Sequence, residues 1–262
     1  MKNVVITGST RGIGICMAIE FLKAGCNVTI SGRNEKLSET LIKQLEGFES
    51  KFLYVPCNVK NKNDVETLWK NSVAKWGRVD IWVNNAGQNS PHEYCYDIEV
   101  SYVDALIDTN IKGLIFGSQI AAKNMLIQGG GQIFNMEGLG SNDMIQAKTI
   151  LYGTSKRALT YFTKALAKEL KRSTVVAGRL SPGMMLTDFI TKTPDGDESP
   201  LIKDKSFKFI FNTLADKPER VAKFFIPKIL TNTKNDSHIV WLTNAKIIWR
   251  FLRSPFNKRN LI

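Results

Sequence analysis

The sequence predicts an α/β fold of the Rossmann type, a doubly wound and mostly parallel sheet of seven strands with helices on both faces. Three observations predict it. Short apolar runs alternate with helically spaced ones from the start of the chain. The first junction between them is a glycine-rich turn. The length of 262 residues suits one large domain better than two with a linker.

Asn3 to Thr7 (NVVIT) is a short apolar run that breaks at Gly8. From Gly12 the apolar spacing becomes helical through Ile13, Met17, Ala18, Phe21 and Leu22, and it stops at Gly25. The alternation then repeats. Strands are expected at Asn27 to Ser31, Phe52 to Pro56 and Val79 to Asn84, with helices at Glu35 to Glu46 and Val65 to Trp76 between them. Short apolar strands joined through helices imply parallel pairing with both faces covered. One or two helices follow from Ser101 to Gln128, then a strand at Gly131 to Asn135 after a triple-glycine turn. A long helix from Tyr152 to Lys171, a strand at Val175 to Leu180 and a last strand at His238 to Leu242 complete the series.

Between Pro182 and Lys217 the pattern loosens around TPDGDESP. This segment reads as an insertion in a single domain, residues 1–262. Its part from Met184 to about Phe211 is expected to be a substrate lid carrying Met184, Met185, Leu186, Phe189 and Ile190, although the same side chains suit the packing of a short helix.

Composition excludes several classes. With 43% hydrophobic and 23% charged residues, 19 Gly and 8 Pro, the chain is neither disordered nor fibrous. No apolar run approaches the roughly 20 residues of a membrane-spanning helix, and Met1 leads within three residues into a strand, so a cytoplasmic location is expected. Cys16, Cys26, Cys57 and Cys95 lack CxxC spacing and read as reduced thiols. His92 and His238 stand without a carboxylate motif, so no metal site is expected.

Charge is uneven. Residues 1–131 carry 14 basic and 13 acidic side chains, whereas 132–262 carry 22 and 11. From Ala245 the chain runs AKIIWRFLRSPFNKRNLI, an amphipathic basic stretch over about 245–262. Ile247, Ile248, Phe251 and Leu252 fall on one helical face, with Lys246, Arg250 and Arg253 on the other. Such a stretch can pack on its own subunit, on a symmetry mate or on an anionic membrane; packing is the favoured expectation over peripheral membrane contact. Nucleic acid is not an expected partner, because no recognition module accompanies the charge.

The turn after the first strand, Gly8-Ser9-Thr10-Arg11-Gly12-Ile13-Gly14, sits where strand meets helix. Glycines there let backbone N–H groups approach a diphosphate at the helix N-terminus. The acid that would hold an NAD ribose is missing from the end of the second strand, which reads Ser31-Gly32-Arg33-Asn34. Arg33 and Arg11 are instead suited to a 2′-phosphate, so NADP(H) is expected over NAD(H).

With NNAG at Asn84 to Gly87, Asn110 in DTNIKG, YGTSK at Tyr152 to Lys156 and SPGMMLT at Ser181 to Thr187, the sequence resembles the short-chain dehydrogenase/reductase family over nearly its whole length. The resemblance implies an oxidoreductase of the alcohol and carbonyl type, acting on a small-molecule carbonyl substrate and assembling as a homodimer or homotetramer. It implies that Asn58 and Val59 in PCNVKN lie at the adenine, that Asn85, Ala86, Gly87, Pro182 and Gly183 line the cofactor, and that Thr187 meets the nicotinamide carboxamide. It also implies that Asn110 holds a water in a proton relay and that Lys156 binds the nicotinamide ribose. Tyr152 and Lys156, four apart on a helix, share a face. The ammonium is expected to lower the phenol pKa towards the range useful for protonating a carbonyl oxygen.

The family's serine is the departure. Its two spacing rules land on Leu139 and Gly138, neither of which can donate, and Ser141 is the nearest hydroxyl. Ser141 either fills the role or faces water. Glu137 stands where a small hydroxyl residue is common. The IFNMEGLGS segment and the stretch from SPGMMLTDF to the C-terminus resemble the chlorophyll b reductase branch, which implies a bulky apolar substrate. Two alternatives are a 3-oxoacyl or hydroxysteroid-type reductase and a catalytically weak dinucleotide-binding sensor or scaffold.

Overall fold

The computed structural model describes residues 1–256 and 259–262. Seven strands form one sheet: β1 (Asn3–Ile6), β2 (Asn27–Gly32), β3 (Phe52–Pro56), β4 (Ile81–Asn84), β5 (Gly131–Met136), β6 (Val175–Ser181) and β7 (Ser237–Val240). Their order is β3-β2-β1-β4-β5-β6-β7, and every pairing is parallel. Parallel strands need crossovers, which place helices on both faces. Accordingly β1, β2 and β4 are buried along their whole length.

On one face α1 (Gly12–Lys23) packs against α9 (Pro218–Leu230), burying Met17, Phe21, Phe225 and Ile229 against Val4, Ile30 and Phe134. On the other, α3 (Lys62–Trp76) packs against α5 (Gly113–Ile127), with Leu68, Trp69 and Met125 over Val5, Trp82 and Ile133. The alternation of faces along the sequence follows from the reversal of strand order between β1 and β4. That reversal opens a crevice at the carboxyl ends of the strands.

The structure corrects several sequence expectations. The helix expected from Glu35 shrinks to α2 (Glu39–Gln44), capped by the Ser38 hydroxyl, which accepts from Leu41 N. Ser101 to Gln128 is one continuous run: α4 (Val100–Leu106), a π turn over Ile107–Lys112, then α5. The long helix α6 spans Ile150–Glu169 and tightens into a 3₁₀ turn at Leu170–Arg172.

The loose segment after Pro182 takes up fixed structure in short pieces. It forms α7 (Asp188–Thr191), a bridge between Lys192 and Glu198, a 3₁₀ turn at Pro200–Lys203 and α8 (Lys205–Leu214). TPDGDESP is the turn of that bridge, closed by Thr193 N donating to Asp197 O at 2.8 Å.

The arrangement at α10 (Asn244–Arg253) is unlike that of an ordinary amphipathic helix. Arg250, from the basic face, is buried, while Ile248, Trp249 and Leu252 are exposed. Within the expected stretch, Asn257 and Lys258 lie outside the described residues.

Candidate active site

The glycine turn is built by close approach. Gly8 and Gly12 have φ of +60° and +57°, a region that disfavours side chains. A Cβ on Gly8 would stand 2.8 Å from the Ala86 Cα, and one on Gly14 would stand 2.6 Å from the Gly8 carbonyl. The turn is therefore pressed against the segment after β4. Hydrogen bonds hold it there: Asn85 N and Ala86 N donate to the Thr7 hydroxyl at 3.0 and 3.1 Å, and Asn85 Nδ2 donates to the carbonyls of Thr7 and Gly8 at 3.0 and 2.9 Å. Ser9 faces the protein, donating to Ile6 O at 2.7 Å and accepting from Ser31 N at 2.9 Å.

The start of α1 is left open. Its N-cap, Arg11, makes no side-chain capping bond, and its first turn has no acidic residue. The orphan N–H groups of a helix start need acceptors, and a diphosphate at this point supplies them. The residues present thus fit a dinucleotide. Thr10 packs on Gly32, where a Cβ would stand 2.6 Å from its methyl, and Arg33 is exposed just beyond. Asn58 is exposed, its side-chain oxygen accepting from Lys60 N at 3.2 Å, and Val59 is buried against Gly113.

The candidate catalytic pair lies deeper. Tyr152 and Lys156 come from α6, and the Phe189 ring of α7 meets the Tyr152 ring edge-on at 5.5 Å. Lys156 Nζ lies 5.7 Å from the Tyr152 ring centroid and donates to Met136 O at 3.0 Å. Burial pushes the Lys156 ammonium down to about 8, opposed by the nearby Glu137 charge, which raises it. Burial pushes the Tyr152 phenol up. The expected lowering by Lys156 is not present in this arrangement, because the ammonium bonds to the Met136 carbonyl and desolvation dominates at the phenol.

Asn110 lies in the π turn, fully engaged. Its side-chain oxygen accepts from Gln88 N at 2.7 Å, and its Nδ2 donates to Gln88 O at 2.9 Å and to Ser155 Oγ at 3.1 Å. A Cβ on Gly87 would stand 3.6 Å from Asn110 Oδ1 and 3.8 Å from Lys156 Nζ, so Gly87 joins the nucleotide side of the crevice to the reactive pair.

The missing serine has a steric reason. Any Cβ on Gly138 would collide with the Tyr152 hydroxyl. Ser141 does not face water; it is buried, accepting from Gly138 N at 3.2 Å and donating to Lys156 O at 3.3 Å. Its one proton closes the loop onto α6.

Glu137 also finds its explanation. The carboxylate is buried, takes hydrogen bonds from Ser181 and, at 3.0 Å, from Thr160, lies 2.9 Å from His238 Nε2, and approaches Arg179 at 3.7 Å. Burial raises its pKa, but the His238, Ser181 and Thr160 bonds together outweigh burial and hold the carboxyl below its usual value. Glu137 therefore ties the ends of β5, β6 and β7 to α6.

Pro182, Gly183 and Thr187 follow β6. Gly183 has φ of +70° against Leu242, and the Thr187 methyl lies 3.7 Å from where a Cβ on Gly12 would be. The segment is anchored by Asn89 Nδ2 donating to Phe189 O at 2.9 Å.

The sequence reasoning missed a buried polar chain beneath the site. Trp82 Nε1 donates to Asn84 Oδ1 at 2.7 Å, Asn84 Nδ2 donates to Asn135 Oδ1 at 2.8 Å and to Ser118 Oγ at 2.9 Å, and Asn135 Nδ2 donates to Thr163 Oγ1 at 2.8 Å. Asn84 and Asn135 stand opposite each other in the β4–β5 register. The available signal was an Asn at or next to the end of two mostly apolar strands, IWVN and GQIFNM.

Comparisons with known proteins agree on this architecture. The profile of a family described as short chain dehydrogenase matches residues 2–198. A chlorophyll(ide) b reductase NOL of Arabidopsis thaliana is 36% identical over 255 residues, covering 93% of this chain and 71% of that protein. Its Oryza sativa counterpart is also 36% identical, over 272 residues, covering 98% and 76%. Among solved structures, ElxO with NADP bound superposes with a TM-score of 0.81 at 26% identity, covering 94% of this chain and 99% of that one.

Proposed function

This chain belongs to the short-chain dehydrogenase family, on a branch resembling the chlorophyll(ide) b reductases, and from that premise we propose that it reduces a ketone or aldehyde on a bulky apolar substrate with NADPH, Tyr152 giving the proton. It is an NAD(P)-dependent oxidoreductase with a nicotinamide dinucleotide cofactor. A substrate of the chlorophyll(ide) b kind is the specific candidate, on the strength of its relatives' names.

The observation that carries the reading is the pocket around Tyr152. Its hydroxyl lies in the space left by Gly138, with Phe189 on one side and the Lys156 ammonium held by Met136 O on the other. The bound cofactor supplies hydride to the carbonyl carbon. As negative charge develops on the carbonyl oxygen, Tyr152 Oη passes its proton to it, and the phenolate left behind draws the Lys156 ammonium from Met136 O towards itself. A phenol kept protonated by burial is in the form a proton donor needs. Gly87 leaves room beside Lys156 and Asn110 for the nicotinamide ribose. Phe189, edge-on to the Tyr152 ring, supplies an apolar wall.

Arg11 and Arg33 support NADPH over NADH, since both are exposed at the adenosine end and β2 ends without a carboxylate. A second reading, a weakly catalytic dinucleotide sensor, draws on one observation: the Ser141 hydroxyl, the nearest substitute for the family's serine, already gives its proton to Lys156 O.

Tyr152→Phe separates the readings. It keeps the ring and its contact with Phe189 while removing the proton. Carbonyl reduction is expected to fall at least about 100-fold, with the NADPH dissociation constant within about twofold of the unaltered protein. Undiminished reduction overturns the mechanism. An unaltered protein that binds NADPH yet turns over no ketone or aldehyde in a broad panel supports the sensor.

A further inference from the structure

The helix α10 is inside out. Of its basic residues Lys246 and Arg250 are turned into the protein and Arg253 is exposed; Arg250 (8% exposed) donates to Asp216 Oδ2 at 2.6 Å and to Leu214 O at 2.6 Å. Asp216 (1% exposed) also accepts from Trp241 Nε1 at 2.8 Å and from Arg259 at 3.2 Å. Lys246 lies 2.9 Å from the Trp241 ring centroid and donates to Trp241 O at 3.3 Å. These bonds fix the rotation of the helix. Its apolar face is consequently presented to solvent, with Ile248 61%, Trp249 54% and Leu252 71% exposed.

The exposed face is not confined to one helix. Phe251 lies 6.3 Å from Phe209 of α8, and Phe209 and the following Phe256 are themselves exposed. Contiguous apolar surface of this kind on two adjoining helices marks a binding face. The charges around it are mostly basic, the exception being the exposed N-cap of α8, Asp204. Within α8 and α10 there is no acidic residue, and the exposed charged side chains are Lys205, Lys208 and Arg253, the last stacked 4.6 Å from the Trp249 ring centroid.

We propose that α8 and α10 form a membrane-docking face that seats Trp249, Leu252, Ile248 and Phe209 among the headgroups of an anionic lipid bilayer. Charge decides the occupant. Two copies meeting through this face about a two-fold axis would bring Lys205, Lys208 and Arg253 against the same residues, a like-charge arrangement that disfavours pairing. An anionic bilayer attracts the same residues, and aromatic side chains flanked by basic ones suit its interface. No helix among the described residues is long and apolar enough to cross a membrane, so the contact is peripheral. The inference is independent of the reduction chemistry, since it uses no residue of the Tyr152 pocket. Its consequence for that chemistry is access: α8 ends the segment that begins at Met184, so the docked face adjoins the cover of the site.

The experiment is co-sedimentation of the full chain with vesicles of phosphatidylcholine alone and of phosphatidylcholine with about one third phosphatidylglycerol, at low and high salt. Sedimentation is expected with the anionic vesicles, at least about tenfold less with neutral ones, and weaker at high salt. The double variant Trp249→Ser with Leu252→Ser is expected to lower vesicle binding at least about tenfold and to leave the NADPH dissociation constant unchanged, which shows that it is folded. Should that variant misfold, Arg253→Glu provides the same reading through charge, weakening only the anionic binding. Equal or absent binding to both vesicle types overturns the proposal. So does a two-fold drop in sedimentation mass for the double variant in the absence of lipid, because the face would then pair copies of the chain.

Discussion

The floor of the crevice and its proposed cover are held by different kinds of contact. The floor, from β1 to the turn after β4, is fixed largely by backbone: Gly8 and Gly14 permit an approach that no side chain tolerates, Gly12 takes a φ of +57°, and Thr7 and Asn85 bond carbonyls and N–H groups. The cover, from Met184 to the C-terminus, is fixed by side chains converging on one buried carboxylate, Asp216, whose backbone also pairs with Leu186 N at 3.0 Å and Met184 O at 3.1 Å. A floor made of backbone geometry is a local property of its residues. A cover made around a single charge depends on partners brought from 34 and 43 positions away.

The comparison can be broken first at its most concentrated point. Asp216→Asn removes the charge facing buried Arg250 and partly buried Arg259. An uncompensated buried guanidinium costs about 3 kcal/mol or more, so the melting temperature is expected to fall by roughly 6 °C or more. Calorimetry with and without NADPH checks it; a loss below about 1 °C would show that the cover does not rest on Asp216.

Where floor and cover meet, Gly138→Ser restores the residue type usual in the family. The added atoms collide with the Tyr152 hydroxyl. The expected outcome is a loss of about 100-fold in turnover through misplacement of the proton donor, and a gain in rate would show that the loop moves aside. On the floor, Arg33→Asp puts a carboxylate beside the ribose position. The ratio of NADPH to NADH affinity is expected to fall about tenfold or more, measured by titration of both cofactors against the unaltered protein.

The smallest effect concerns pH. Lys156 is held down to about 8 by burial, with Glu137 acting in the opposite direction. As pH rises through about 8, the ammonium loses its proton, and kcat/KM, which reports the free enzyme, is expected to decline over that range. Glu137→Gln removes the charge that raises Lys156, so the decline should begin at lower pH by a fraction of a unit. An unmoved limb would assign it to another group.

The fold and the nucleotide half of the site were legible in the sequence because their causes are local. A parallel strand buried on both faces must be apolar throughout, and NVVIT or IWVN shows that without its neighbours. The glycine turn follows from local spacing, and so does the shared helix face of Tyr152 and Lys156, whose role is what the family resemblance implies. The Asn84–Asn135 pair escaped because its members, 51 residues apart, meet only through the β4–β5 register.

Sequence by itself determined which residues form the seven strands, where the chain turns tightly enough to hold a diphosphate, and which helix carries Tyr152 and Lys156. Tertiary structure alone decided the rest. The pattern of α10 marked an apolar face and a basic face but not which one faces inward. Apolar burial would have turned Ile248 and Leu252 to the core, yet the carboxylate of Asp216, already enclosed, required cations beside it, and Arg250 reaches it only when the apolar face turns outward. In the same way Glu137 read as an oddity beside an absent serine until β6 and β7 brought Ser181 and His238 to it. Buried charges are satisfied by whatever the fold delivers to them, and that delivery is not written in local spacing.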